Sequence, residues 1–323
     1  MGYAGKLYRC IREQAKMRLS KRRYFATGAI AYACFAALAA AVVWAETGGH
    51  LSSWNGAWKA TDGSLIRFEP ARVVLIENGL LSIGAVVREA PGKLTLRRNG
   101  LLETWQLSRS ATALRVSRPD RAVEYKALDE IPPALDPKPL DLPKPMALPA
   151  NRVQEVQSQL RERLAKDQAA LKAPGQRRAT AVIAENRAYL DQLVGEVGWI
   201  DADRFGHQAA ADAVILTKHG HDLPLIMAAM PRVDADFKHA GDDAQMYTIF
   251  YDDLMIEMGG KQRYGTQLAE DKDGKPYVLP LEDPTKVDQW RKDLGLEPLA
   301  SYLAMASKYL YKGATIRLPR DDE

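Results

Sequence analysis

The sequence KQRYGTQ at residues 261–267, with KHGHD at residues 218–222, marks the part of the chain that is richest in polar and titratable groups. Apolar residues on either side of these strings recur at helical spacing, which indicates amphipathic helices. Residues 261–268 and 276–279 are predicted as the strands of a hairpin that turns over Asp273-Gly274. The polar region is therefore expected inside a mainly helical domain that contains one β-hairpin.

The helices of this domain are predicted from apolar periodicity and from their start and stop signals. Pro231 is expected to end one helix, because proline removes a backbone donor and clashes with the preceding turn. Asp283 is expected to cap another helix, with Pro284 in its first turn. The predicted ranges are 151–172, 179–194, 204–218, 223–230, 245–258, a helix opened by residues 282–284, and a last helix from 297 to about 311.

Residues 179–312 resemble an uncharacterised bacterial domain family, domain of unknown function 6624. The resemblance rests on the following residues: Phe205-Gly206 before an alanine-rich helix, Lys218-His219, Asp252, Gly259, the run 262–267, Glu282-Asp283-Pro284, Val287-Asp288, Arg291, Gly295-Leu296 and Tyr302. The family implies no established activity. The resemblance therefore implies a domain and not a reaction.

The candidate site residues come from the two polar strings and from the helix between them. Strand alternation would place Gln262, Tyr264 and Thr266 on one face of the hairpin, with Arg263 and Gln267 on the other. In the alternative interpretation, these groups satisfy one another in a buried polar network that holds the hairpin. The catalytic candidates are His219, Asp252 and Tyr264, and the ligand-binding candidates are Gln262, Arg263, Thr266 and Gln267.

Three functions remain open at this point. The first is a membrane-anchored bacterial envelope protein whose C-terminal domain binds a small polar ligand. The second is an extracytoplasmic, hydrolase-like enzyme that uses His219 with Tyr264, Thr266 and Gln267, and the third is a structural or protein-interaction module. No cofactor motif is present, and His219 and His221 are two residues apart rather than at the four-residue helical spacing of metalloproteases. We therefore predict neither a cofactor nor a metal, and whether the protein is an enzyme stays open.

The charge of the chain is concentrated at its N-terminus. The sequence contains 45 basic and 41 acidic residues, a net charge of +4. Eight of the basic residues precede residue 24, with Glu13 as the only acidic residue there, and the rest of the chain has 37 basic and 40 acidic residues. A nucleic-acid-binding surface is therefore not expected. Cys10 and Cys34 are the only cysteines, so the sequence after residue 34 cannot form a disulfide bond.

Residues 24–44 are uncharged and are predicted as a transmembrane helix. At 1.5 Å rise per residue, they span roughly 30 Å, the thickness of a bilayer's hydrocarbon core. The basic tail 1–23 predicts a cytoplasmic N-terminus, with the bulk of the chain outside the cytoplasmic membrane. The lipid bilayer is the partner that this segment implies. A cleaved signal peptide, with a cleavage site near Val43-Trp44-Ala45, and a buried core helix are the alternatives.

Residues 52–130 are predicted as a small antiparallel β module, a meander or a barrel, from six short alternating runs with glycine turns between them. Trp54, Gly56 and Trp58 loosely resemble lipocalin-like modules, which leaves a ligand-holding barrel and a spacer or interaction module as alternatives. Seven prolines in residues 131–150 predict an extended linker. The predicted fold class is α+β. It comprises a transmembrane helix, this β module, the proline-rich linker 131–150, a connecting helix at 151–178, the helical domain with one hairpin at 179–312, and a tail at 313–323.

Overall fold

The described part of this computed structural model comprises residue 54 and residues 56–110, 112–172, 176–239, 243–271 and 273–320. The predicted basic tail and the predicted span 24–44 lie outside these residues. Within the described residues, no helix is both long enough and apolar enough to cross a membrane. The chain divides into two compact units. One ends at Pro137 and takes in Met255–Lys261, and the other holds Lys138–Leu254 and the segment from Gln262 onward.

The first unit contains a closed antiparallel barrel of eight strands in sequential order. Each strand pairs with the next, and β8 returns to β1 with Lys126 opposite Lys59. The strands are β1 Gly56–Ala60, β2 Leu65–Glu69, β3 Arg72–Glu77, β4 Leu80–Ala90, β5 Lys93–Arg98, β6 Leu101–Arg109, β7 Ala113–Ser117 and β8 Ala122–Ala127. Closure leaves none of these strands with an unpaired edge.

The barrel is filled by apolar side chains. Alternate residues of its strands form one buried cluster, which includes Trp58, Phe68, Leu94, Trp105 and Tyr125. The turns at Asn78-Gly79 and Asn99-Gly100 have positive φ at both residues. This backbone conformation matches the twist of a two-residue hairpin, for which Asn-Gly is the preferred sequence. Local turn chemistry and strand alternation together therefore explain the packed barrel.

The predicted fold class is wrong, and the β module shows one reason. The prediction had six strands in a meander or barrel, and the structure adds β1 and β4 to make a closed eight-stranded barrel. Strand β4 does not alternate simply, because Leu81 and the run from Ile83 to Val86 are buried. Its pairing with β5 also shifts register between Val86 and Arg88. The extra burial and the register shift hide the two-residue period by which strands are recognised.

Most residues of the proline-rich segment 131–150 are exposed, but part of the segment packs against the protein. Pro133–Leu135 form a short 3-10 turn that contacts β2 and β3, and the Leu135 side chain is completely buried. Further on, the backbone N–H of Leu140 donates to the carbonyl of Pro224 at 3.0 Å. Proline composition restricts the backbone to extended conformations, but it does not prevent the side chains between the prolines from packing.

The second unit is mainly helical. Its helices are α1 Ala150–Lys172, α2 Gln176–Val197, α3 Ala202–Gly220, α4 Leu223–Phe237, α5 Ala244–Glu257, α6 Val287–Asp293 and α7 Leu299–Leu310, and its hairpin is β9 Leu268–Glu270 with β10 Pro276–Val278. Helix α4 continues through Pro231, contrary to the prediction. Buried Met230, Val233 and Phe237 lie on both sides of the proline, so packing outweighs the lost backbone hydrogen bond.

Helix α6 begins later than predicted. Asp283 does not cap it, because its side chain accepts hydrogen bonds from the backbone N–H and the hydroxyl of Thr285. The helix instead begins at Val287, which is buried. The Asp-Pro-Thr sequence at residues 283–285 therefore forms a local turn before the helix. Aspartate side chains stabilise such turns as well as helix N-termini.

Candidate functional site

Residues 262–267 form a loop rather than the first strand of the hairpin. Strand β9 begins only at Leu268, and Gly265 has a φ of 75°. Strand alternation therefore does not apply to Gln262, Tyr264 and Thr266. Backbone N–H groups of the loop donate to the side chain of Asp252. In a strand, such groups would donate to the carbonyls of a neighbouring strand.

Asp252 lies on α5 and is fully buried. Its carboxylate accepts from the backbone N–H groups of Arg263 at 2.8 Å, Tyr264 at 3.0 Å and Thr266 at 3.0 Å. It also accepts from the hydroxyl of Thr266 at 2.8 Å. Burial raises the pKa of Asp252 to about 6, and the hydrogen bonds from Tyr264 and Thr266 act in the opposite direction. Both oxygens of Asp252 accept hydrogen bonds from the loop, and these donors favour the ionised carboxylate.

The two glutamines of the loop bond mainly to one another and to the backbone. Gln262 Nε2 donates to the carbonyls of Gln267 at 2.9 Å and Leu279 at 2.7 Å, and its Oε1 accepts from the N–H of Gln267 at 2.8 Å. Gln267 Nε2 donates to the carbonyl of Ile249 at 2.9 Å. These predicted ligand-binding side chains therefore take part in the buried polar network considered as the alternative above.

Sequence reasoning assigned no role to Arg291, which belongs to the same network. Its guanidinium is completely buried and donates from Nε to the carbonyl of Glu297 at 2.7 Å and from Nη1 to that of Tyr264 at 2.9 Å. The ring of Tyr302 lies 4.9 Å from it, and the Tyr302 hydroxyl donates to the carbonyl of Thr266 at 3.2 Å. Arg291 and Tyr302 are among the residues on which the family resemblance rests. That resemblance was the sequence signal that could have identified them.

Gly265 lies close to Leu299 of α7. A Cβ at this position would lie 2.6 Å from Cδ1 of Leu299, and the φ of 75° is itself unfavourable for a side chain. We expect Gly265→Ala to lower the free energy of unfolding by about 2–4 kcal/mol, from backbone strain and the clash together. Urea unfolding followed by far-UV circular dichroism would measure this change.

Gly274→Ala is the matched control for Gly265→Ala. Gly274 has nearly the same φ of 74°, but nothing lies within 4 Å of its Cβ position. The difference between the two variants therefore isolates the cost of the contact with Leu299. Equal losses of stability would contradict a close approach of the loop to α7.

Three tyrosines and an arginine lie beside this network. The ring centroids of Tyr247, Tyr251 and Tyr264 are 5.6–6.0 Å apart. The Arg263 guanidinium lies 5.4 Å from the ring of Tyr251 and 5.1 Å from that of Trp290, and it pairs with Glu282 at 2.9 Å. Burial raises the pKa of all three tyrosines, so each keeps its hydroxyl proton at neutral pH.

The hydroxyls of these tyrosines differ in their partners. Tyr264 is hydrogen-bonded to Tyr247 and to Arg263. The buried hydroxyl of Tyr251 has no hydrogen-bond partner among the described residues. Buried tyrosine hydroxyls usually have a partner, so a group from outside the protein is expected there.

His219 bonds to α1 rather than to Asp252 or Tyr264. At the end of α3, its Nδ1 lies 2.7 Å from Oδ2 of Asp167, a residue that sequence reasoning did not select. Lys218, next to it, forms an ion pair with Asp253 of α5 at 3.0 Å. Asp167 continues the apolar stripe of Val156, Leu160 and Leu164 on α1. A lone acidic residue in such a stripe was the signal that could have identified it.

The other residues of the histidine-rich turn have structural positions. His221 ends α3 with a φ of 50°, and Asp222 caps α4 by accepting from the N–H of Leu225 at 3.1 Å. In the part of the chain that the structure describes, no three His, Cys, Asp or Glu side chains lie together as a set that could hold a metal ion.

Comparison with known proteins adds a family but no activity. No curated protein matches the chain significantly. Residues 152–312 match a family of unknown function, DUF6624. The match begins within α1, so it contains Asp167 as well as His219, Asp252 and the loop 262–267. Over residues 152–312, the chain belongs to the family of unknown function DUF6624.

Proposed function

We propose that the helical unit binds a small polar ligand beside Tyr251 and Arg263. The observation that carries the proposal is the buried Tyr251 hydroxyl, which has no hydrogen-bond partner among the described residues. Leaving such a group unsatisfied costs free energy, because its hydrogen bonds to water are lost on burial. An acceptor atom of a ligand would remove this cost.

Arg263 indicates the charge of the ligand. Its guanidinium lies 5.4 Å from the ring of Tyr251 and 5.1 Å from that of Trp290, and it presents two nitrogens to the carboxylate of Glu282, at 2.9 and 3.2 Å. The Glu282 side chain is 41 % exposed, so a ligand can replace it without opening the core. The planar guanidinium suits a carboxylate or a phosphate. The ligand class is therefore a small anion with a second acceptor for Tyr251.

A thermal-shift screen of small carboxylates, phosphates and acidic sugars tests this proposal. A ligand that binds the folded state raises the melting temperature. We expect Tyr251→Phe to remove this shift without lowering the melting temperature of the unliganded protein, because the hydroxyl has no partner to lose among the described residues. Undiminished ligand binding by Tyr251→Phe would contradict the proposal.

Tyr264→Phe is the contrasting variant. Its hydroxyl is bonded to Tyr247 and Arg263, so the substitution removes both of these hydrogen bonds. The cost should be about 1 kcal/mol or more in the free energy of unfolding, even without ligand. If Tyr251→Phe were less stable than Tyr264→Phe, the Tyr251 hydroxyl would contribute to the stability of the fold, which would contradict a role in ligand binding.

The envelope location stays a prediction of the sequence, because residues 1–53 lie outside the described part of the chain. The hydrolase-like alternative also stays a prediction at Tyr264, Thr266 and Gln267. At His219, the structure adds the contact of Nδ1 with Asp167 at 2.7 Å.

A further inference from the structure

We propose that His219 and Asp167 form a proton-transfer pair for a hydrolytic reaction, at a site separate from the tyrosine cluster. Nε2 of His219 is the proton acceptor, and Asp167 is the positioning residue that holds the imidazole. The inference does not rest on ligand binding at Tyr251. It rests on the geometry of the pair, on a buried oxygen of Asp167 that has no partner among the described residues, and on a buried donor of the neighbouring helix α2.

The geometry determines which nitrogen of His219 is available. Nδ1 lies 2.7 Å from Oδ2 of Asp167, whose side chain is 1 % exposed, while the His219 side chain is 15 % exposed. An ionised carboxylate can only accept hydrogen bonds, so Nδ1 must carry the hydrogen in this contact. The lone pair of the neutral imidazole is then on Nε2. A buried carboxylate that fixes the tautomer and orientation of a partly exposed histidine is the arrangement found in general-base catalysis.

The carboxylate of Asp167 is satisfied on one side only. Oδ2 accepts from His219 and also from Nε2 of Gln168 at 3.1 Å. Oδ1 is buried and has no hydrogen-bond partner in the described part of the chain. Such an acceptor in a native protein is expected to bind a water molecule or a ligand donor.

A complementary donor lies on the neighbouring helix. Asn186 of α2 accepts at its Oδ1 from Arg163 at 3.4 Å, and its buried Nδ2 has no partner among the described residues. Arg163 precedes Asp167 by four residues on α1, so both lie on the same face of that helix. The three helices contact one another, and they carry a buried acceptor on α1, a buried donor on α2 and the oriented imidazole on α3. A water molecule could donate to Oδ1 of Asp167, and the carbonyl oxygen of a carboxylic ester could accept from Nδ2 of Asn186. We therefore assign a carboxylic ester as the substrate class.

The proposed reaction requires only the ester and one water molecule. Nε2 of His219 takes a proton from water as the water oxygen attacks the ester carbonyl carbon. The bond from that carbon to the alcohol oxygen then breaks, and the leaving oxygen receives the proton from Nε2. The products are a carboxylic acid and an alcohol, and His219 is regenerated.

Hydrolysis of p-nitrophenyl acetate by the purified full chain tests the proposal. We expect His219→Gln to lower the rate on the order of 100-fold, the scale of general-base catalysis. Glutamine can still donate a hydrogen bond to Asp167, so folding should be retained, and circular dichroism would check this. His207→Gln is the matched control, since His207 is half-exposed and lies 3.4 Å from the equally exposed Asp243. Equal rates for the wild-type protein and His219→Gln would overturn the proposal.

A second measurement separates positioning from a purely structural contact. Long-range ¹H–¹⁵N spectra report which nitrogen of each histidine carries the proton. We expect the Nδ1–H tautomer for His219 in the wild-type protein. Asp167→Asn should populate both tautomers and lower the hydrolysis rate about tenfold or more, because the amide can donate as well as accept. An Nε2–H tautomer in the wild-type protein, or an unchanged rate in Asp167→Asn, would show that Asp167 does not act through His219.

Discussion

Asp252→Ala should lower the free energy of unfolding of the helical unit by about 3–5 kcal/mol, a loss large enough to prevent folding in a marginally stable domain. The carboxylate accepts from three backbone N–H groups and one hydroxyl of the loop 262–267, and alanine removes these four hydrogen bonds. Since Asp252 is completely buried, bulk water cannot replace these bonds unless the loop opens. Urea unfolding monitored by circular dichroism would measure the change.

Asp283→Ala is the control for this variant. Asp283 also accepts from a backbone N–H and a hydroxyl, both from Thr285, but its side chain is 30 % exposed. Water can hydrate the donors that the substitution releases there, so a much smaller loss is expected. If both variants lost the same stability, the buried network around Asp252 would not be what holds the loop.

The second large effect is expected for Arg291→Ala, at about 3–5 kcal/mol in the free energy of unfolding. The substitution removes the donors to the carbonyls of Tyr264 and Glu297, and it leaves a cavity where a completely buried side chain packs against Tyr302. Arg291→Lys should not restore the stability. A single ammonium group cannot reproduce the planar fork that reaches both carbonyls. Chemical denaturation of the two variants would measure this.

Lys292→Ala serves as the matched control on the same helix. Lys292 is exposed, next in sequence to Arg291. Its removal should change the unfolding midpoint little, because exposed charges contribute little to stability. A stable Arg291→Ala protein, comparable to Lys292→Ala, would contradict the assignment of Arg291 to the network.

These variants separate the fold from the proposed sites. Asp252 and Arg291 both hydrogen-bond the backbone of the loop 262–267, and their loss should destabilise the protein whether or not ligand is present. Tyr251 and His219 each have a polar atom available for a molecule from outside the protein, so their conservative variants should keep the fold. Comparing melting temperature with binding or hydrolysis for the same variants therefore distinguishes the two groups.

Much of the secondary structure could be predicted from local sequence. The Asn-Gly turns of the barrel and the helices α1, α2, α3 and α5 follow from local backbone preferences and apolar periodicity. Strand β4, the course of α4 through Pro231 and the packing of Leu135 could not be predicted in this way. In each case, burial against distant residues overrides a local preference.

The sequence by itself determined the helical character of the C-terminal unit, its family and the polar residues from which any site is built. Only the tertiary structure decided how these residues are grouped. His219 pairs with Asp167, 52 positions earlier in the chain, and not with Asp252, and the loop 262–267 takes its shape from a carboxylate on another element. The physical reason is that a buried charged or polar group must find a partner wherever the fold places one. Partners that are distant in the chain leave no local pattern in the sequence.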